Sequence, residues 1–172
     1  MSTDPLEQLY ARPGFMIRRA NQIAVSVFLE ETGAFRVTTT QYGILYVLNQ
    51  RPGIDQISVA RLLGLDRSTT GMVLRKLELG GYVGRGIGIN DRRRRSLQLT
   101  RAGEKMLQRL AAPAQRAKMR VLSPFTPAER TTFLRMLDKL ARNFNDSTRV
   151  PLEGRRAIDK RPARRRAPHK QR

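Results

Sequence analysis

The 172-residue chain has no cysteine and a single histidine, His169. No disulfide, thiolate metal site or cysteine nucleophile can therefore be built from it. The lone histidine stands in a basic stretch near the end of the sequence. That removes the commonest general base and the commonest metal ligand from any folded site. Acids are also scarce, 14 against 34 lysines and arginines. They are scattered, and the adjacent pair Glu30-Glu31 points to different sides of a helix rather than forming a paired-carboxylate site. No enzyme, cofactor or metal is expected. Long apolar runs are missing too: Ile23 to Leu29, broken by Ser26, is far short of the ~20 residues that cross a membrane. Asp4 and Glu7 stand where a signal peptide would place a basic stretch.

What is present is positive charge, a formal +20, together with 40% hydrophobic residues, enough for a core. The length allows one compact domain with an appendage. Between Thr148 and Arg172 lie ten Lys/Arg and two acids, with Pro151, Pro162 and Pro168 and few large aliphatics. That composition predicts a disordered basic tail over 148–172 with no apolar stripe for a membrane surface. Residues 1–147 form the folded body, with their densest basic run at Arg92-Arg93-Arg94-Arg95. Such a balance points to nucleic acid.

Spacing predicts a mainly α-helical body with one β-hairpin. Ile17, Ala20, Ile23, Ala24, Val27 and Phe28 form a helical stripe across Phe15–Glu31, which Gly33 ends. Thr38 with Gln41 is a capping-box pattern for a helix that stops before Pro52-Gly53. Ser58 is expected to cap a short helix ending at Gly64, and Asp66 a second one reaching about Leu79. Tyr82–Ile87 and Ser96–Leu99 are β-prone segments around a turn rich in glycine and arginine. Thr100 starts a long helix in which Pro113 predicts a kink or break. Thr126-Pro127-Ala128-Glu129 starts a last helix with Phe133, Leu134, Leu137, Leu140, Ala141 and Phe144 on one face.

The two short helices form a helix-turn-helix whose second helix would enter the major groove. On that helix Thr70, Val73, Leu74 and Leu77 share one arc, and Arg67, Ser68, Gly71, Met72 and Arg75 lie opposite. Short hydroxyls and glycine permit close approach to DNA, and arginines reach guanine edges or phosphates. The hairpin then acts as a wing for the adjacent minor groove. Candidate DNA contacts are Arg67, Ser68, Thr69, Thr70, Gly71 and Arg75, with Arg92, Arg93, Arg94 and Arg95 on the wing. The Gly84-x-Gly86-x-Gly88 run has neither dinucleotide-site spacing nor a helix following it, so its glycines serve the hairpin.

Asp66-Arg67-Ser68-Thr69, the stretch Leu77 to Val83, Asp91-Arg92-Arg93 and the run Leu97 to Gly103 together resemble the winged-helix core of the MarR (multiple-antibiotic-resistance regulator) family. The resemblance covers residues 6–147 and places a DNA-binding lobe at about 38–100. It implies a homodimer made by the terminal helices, bound to a palindromic operator in double-stranded DNA. Asp91 matches the wing's structural acid and Arg93 its minor-groove arginine. It also implies an aromatic-acid effector, or its CoA thioester, held where dimer helices meet lobe; Arg18 and Arg19 with Tyr42 and Tyr46 are the candidates. The expected function is a cytoplasmic, bacterial nucleoid-associated repressor of a catabolic or efflux operon. The alternative is a nonspecific DNA-coating or architectural protein, which would lack preference for a palindrome. RNA binding fits less well, because no aromatic sheet platform is visible.

Overall fold

The computed structural model describes residues 4–87 and 95–152. It contains the expected helices and hairpin, with one helix added at the start. That first helix, α1 (Pro5–Tyr10), begins at Asp4, whose carboxylate accepts from the Leu6 N–H, with proline in its first turn. The long α2 (Pro13–Thr32) follows, then a short 3-10 turn (Gly33–Phe35). The Thr38–Gln41 capping box opens α3 (Thr39–Gln50).

Next comes α4 (Gln56–Leu63), and its cap is Asp55 rather than Ser58. The Asp55 carboxylate accepts from the Ser58 N–H at 2.9 Å, so the serine lies inside the first turn. A charged acceptor suits the positive end of a helix better than a hydroxyl does. Gly64, at φ +63°, ends α4 in the left-handed region, and Asp66 caps α5 (Arg67–Leu79). Two antiparallel strands follow, β1 (Val83–Ile87) and β2 (Arg95–Leu99), with Val83 opposite Leu99 and Ile87 opposite Arg95. A bridge from Ile54 to Leu97 ties this hairpin to the loop after α3.

From Thr100, α6 (Arg101–Val121) runs unbroken through Pro113, so the expected break is absent. Proline removes one backbone bond at a cost of ~3 kcal/mol. Here Pro113 is buried in the helix, and the packing of α6 against α2 offsets that loss. A Thr126–Glu129 capping box then opens α7 (Pro127–Asn143).

The core sits in the lobe. Ile44, Leu45 and Leu48 of α3 meet Val59 of α4, Val73, Leu74 and Leu77 of α5, Leu97 of β2 and Leu110 of α6. At the joint between hairpin and α6, Gly103 leaves no room for a side chain: a Cβ there would stand 2.1 Å from the Tyr82 carbonyl oxygen. The Thr100 hydroxyl fastens the same joint by donating to the Gly81 carbonyl at 2.6 Å. Outside the lobe, α2 lies along α6, held by Arg116 on Glu31 and by Arg120 on Glu30 and Glu31. By contrast, α7 buries none of its residues.

Candidate nucleic-acid interface

The helix-turn-helix geometry follows from how α5 is seated. Val73, Leu74 and Leu77 anchor its inner face in the core, which turns the opposite face outward. Arg67, Ser68, Met72 and Arg75 are exposed there. At its start the Asp66 carboxylate accepts from the Thr69 N–H at 2.8 Å and from the Thr69 hydroxyl at 2.6 Å. The Thr69 hydroxyl bond, then the Thr69 backbone, hold the Asp66 pKa below the ordinary aspartate value. Asp66 is therefore a charged cap that fixes the first turn of α5 near neutral pH.

Thr70 does not belong with the DNA contacts. It is fully buried, and its hydroxyl donates to the Asp66 carbonyl at 2.8 Å. It lies on the same arc as Val73 and Leu77, and a backbone acceptor one turn earlier lets the hydroxyl stay inside. Thr69 is half-buried with its hydroxyl committed to the cap. Gly71 faces α4: a Cβ there would stand 3.0 Å from Gln56 Nε2, and that amide donates to the Arg67 carbonyl at 3.3 Å. Gln56, which the spacing argument overlooked, thus braces α4 against the first turn of α5.

The wing carries a second overlooked contact. Arg85 of β1 pairs with Glu78 of α5, linking hairpin to helix. Of the wing candidates, Asp91, Arg92, Arg93 and Arg94 lie outside the described residues. Arg95 is placed in β2 by its backbone pairing with Ile87, and its side chain is also outside them.

A cavity of about 600 Å³ opens where the lobe meets the flanking helices. Phe28, Asn21 and Ala24 of α2, Tyr42 of α3, Lys118 of α6 and Leu137 of α7 are among its walls. The Tyr42 ring lies tilted 5.5 Å from Phe28 and 6.2 Å from Tyr46; Tyr46 is itself exposed and does not line the cavity. Burial, and to a lesser degree the Tyr46 phenol, push the Tyr42 pKa up from the ordinary tyrosine value. Its hydroxyl therefore stays neutral and able to donate. Arg18 and Arg19 are exposed, with Arg18 stacked 4.9 Å over the Phe15 ring; neither lines this cavity within the chain. The basic wall residue is Lys118.

Comparison with known proteins agrees with this geometry. The sequence model of the MarR family matches residues 37–94. The HTH-type transcriptional repressor Rv2887 of Mycobacterium tuberculosis is 32% identical over 136 residues, which span 79% of this chain and 93% of that protein. Its solved complexes, one with DNA and one with salicylic acid, superpose with TM-scores of 0.61 and 0.60 at 28% identity. Each of the two covers 76% of this chain, and 98% and 96% of the respective solved chains are matched. The transcriptional repressor CouR bound to a 23-mer DNA duplex gives a TM-score of 0.74 at 28% identity, covering 81% of this chain and 99% of that one. PcaV of Streptomyces coelicolor, in complex with its natural ligand, gives 0.70 at 28% identity, covering 82% and 97%.

Proposed function

The chain belongs to the MarR family of winged-helix transcriptional regulators, and from that premise we propose that it is a homodimeric repressor released from a palindromic operator by a small aromatic carboxylate. The observation that carries the DNA-reading part is the two-sidedness of α5. Four inner positions, Thr70, Val73, Leu74 and Leu77, are buried, while Arg67, Ser68 and Arg75 stand clear of the protein on the other side. These three read base edges or phosphates in the major groove, and Arg92 to Arg95 with Asp91 serve the wing's minor-groove contact.

The dimer rests on apolar surface that one chain leaves uncovered. Leu6, Leu9, Tyr10, Met16 and Ile17 are exposed on α1 and α2, as are Leu134, Met136, Leu137 and Leu140 on α7. Apolar surface of this extent marks an interface. A second copy related by a two-fold axis would cover it and set two α5 helices about one DNA turn apart, ~10 bp.

The effector site is the cavity between α2, α3, α6 and α7, whose volume of about 600 Å³ suits a small ligand. An aromatic ring packs on Phe28 and Tyr42, and the carboxylate meets Lys118 and the Tyr42 hydroxyl. A clamp by Arg18 or Arg19 would have to be delivered by the second copy. A thioester of the same acid is a larger variant of this ligand. Because α2 and the later turns of α6 lie outside the lobe core and Tyr42 packs against it, a ligand that fits one arrangement better than another shifts the balance between them. Taking a dimer from 99:1 competent to 1:99 needs ~5.5 kcal/mol of such preference.

Two steps test this. Selection of bound fragments from genomic DNA should return a palindrome; recovery of unrelated sequences would leave the DNA-coating alternative standing. Fluorescence anisotropy of that complex should then fall when benzoates, hydroxycinnamates, nicotinates or their coenzyme A esters are added. Lys118→Ala should blunt the response while operator affinity stays intact. A complex unmoved by every member at millimolar concentration would remove the effector and leave the repressor.

A further inference from the structure

After α7 the chain turns back onto the helix-turn-helix. Asn145, which opens the 3-10 turn Asn145–Ser147, holds that return. Its backbone carbonyl accepts from the Thr148 N–H at 3.2 Å and from the Thr148 hydroxyl at 2.6 Å. Its side-chain oxygen accepts from the Leu152 N–H at 2.9 Å, and its amide donates to the Leu152 carbonyl at 3.4 Å. Asparagine suits this place because one planar group accepts and donates at once. Thr148–Leu152 is thereby closed into a strap. Its far end lies on the turn between α4 and α5: a Cβ added at Gly64 would come within 2.9 Å of the Leu152 side chain and 3.7 Å of the Val150 carbonyl. Just beyond, Asp66 caps α5; the Thr69 hydrogen bonds lower its pKa most, and the charge of Arg149 on the strap adds to them.

The strap bridges two bodies that otherwise stand apart here. The helix-turn-helix and α7 face each other across a cavity of about 1160 Å³, with Leu63 and Asp66 on one side and Leu134, Leu137 and Arg142 on the other. Because α7 buries none of its residues, no packed core fixes its place against the lobe. The strap starts at the end of α7 and finishes on the residue that ends α4, immediately before the recognition helix. It therefore acts as a strut between the flank and the entry to α5. Such a strut bears on DNA reading because a two-fold dimer must hold its recognition helices at a set separation. One base pair more or less between half-sites moves the second site by about 3.4 Å and roughly a tenth of a turn. Helices that swing freely on their flanks tolerate that shift, and braced ones do not.

We propose that Asn145 and Leu152 are positioning residues for operator recognition: the strap they close braces α5 against α7 and so sets the half-site spacing that the dimer accepts. The proposal rests on the homodimeric operator reading above. Neither residue touches DNA; both act through the turn at Gly64. Their contribution is preorganisation, which strengthens binding at one spacing by cutting the cost of ordering the two reading surfaces. It leaves the base contacts of each surface unchanged.

The test uses the full chain in four forms: unaltered, Asn145→Ala, Leu152→Ser, and Leu152→Met, which keeps an apolar side chain on Gly64. Hydrogen exchange at the Leu152 N–H reads the strap itself, and should be slow in the unaltered and Leu152→Met forms and fast in Asn145→Ala. Each form is then titrated by fluorescence anisotropy against the selected palindrome, the same duplex with one base pair inserted or removed between half-sites, and a single half-site. The unaltered chain should lose at least about fivefold on either altered spacing, since misplacing a half-site costs no less than one mismatched base pair. Asn145→Ala and Leu152→Ser should narrow that ratio to about twofold or less and bind the original palindrome more weakly, while half-site affinity stays as it was. Leu152→Met should keep the unaltered ratio. Two results would overturn the proposal. One is unaltered spacing discrimination in Asn145→Ala and Leu152→Ser; the other is half-site affinity falling as far as palindrome affinity, which would make the strap a local support of α5. An unaltered chain with no preference for the palindrome over the half-site would overturn the homodimeric reading, and this proposal with it.

Discussion

In the lobe, Ile44, Leu45, Leu74 and Leu97 are at most 1% exposed; on α7, Leu134, Met136, Leu137, Leu140 and Phe144 are between 41% and 57% exposed. Both sets are large apolar side chains, and their surroundings are opposite. The lobe closes its core within one chain, because α3, α4, α5, β2 and α6 enclose it from every side. The last helix has the spacing of a core helix, but the described residues leave most of its apolar face uncovered. What the difference teaches is that the lobe finishes its own core within the chain, whereas α7 leaves its apolar residues exposed.

Substitutions on the two sides of this divide should behave differently. Leu74→Ala opens a cavity in a finished core and should cost about 2–5 kcal/mol of unfolding free energy. Urea denaturation would show it as the same loss at every protein concentration. Leu137→Asp with Leu140→Asp should leave the lobe folded but turn the dimer into a species that dissociates on dilution. Sedimentation velocity reads that directly, and an unchanged sedimentation coefficient at low micromolar concentration would erase the distinction. A smaller effect belongs to the reading surface. Arg75→Ala should lower operator affinity by roughly 1–3 kcal/mol if its guanidinium makes a bidentate base contact, with relaxed preference at that base pair. Competition against single-base operator variants checks it.

The smallest expected effect concerns the cap. Hydrogen bonds from Thr69 lower the Asp66 pKa in the folded state. That stabilisation is complete above the ordinary aspartate value and fades as pH falls through the lowered one. Asp66→Asn should therefore reduce the melting temperature at neutral pH, and the deficit should shrink as pH falls below the ordinary aspartate value. A deficit that is constant across that range would assign the residue a role other than a charged cap.

Much of this was legible in the chain. Thr38, Asp66, Thr100 and Thr126 all cap the helices that their spacing indicates, because a cap is a local matter of one side chain and the next three residues. The inward arc of α5 was legible for the same reason. What sequence reasoning could not reach depends on residues distant along the chain. Arg85 meets Glu78 and Leu152 meets Gly64 only after folding. Gly103 reads as an ordinary first-turn residue until the Tyr82 carbonyl is seen beside it. Thr70 was misplaced because a threonine is polar by composition, yet one backbone carbonyl is enough to keep it buried. The break expected at Pro113 is absent because local cost was weighed without the packing of α6 on α2. The ligand arginines were sought on the first long helix, while the cavity's basic wall residue, Lys118, comes from α6.

The central claim is that two complete lobes are joined by incomplete flanks into one reader of a palindrome. Its most direct test is the affinity for the selected operator compared with a duplex of equal length in which one half-site is scrambled, measured by anisotropy at physiological salt. Loss of one of two joined reading surfaces should weaken binding by at least a hundredfold, since each mismatched base pair alone costs ~1–3 kcal/mol. Equal affinity for the two duplexes would contradict the claim and describe a protein that coats DNA through its charge.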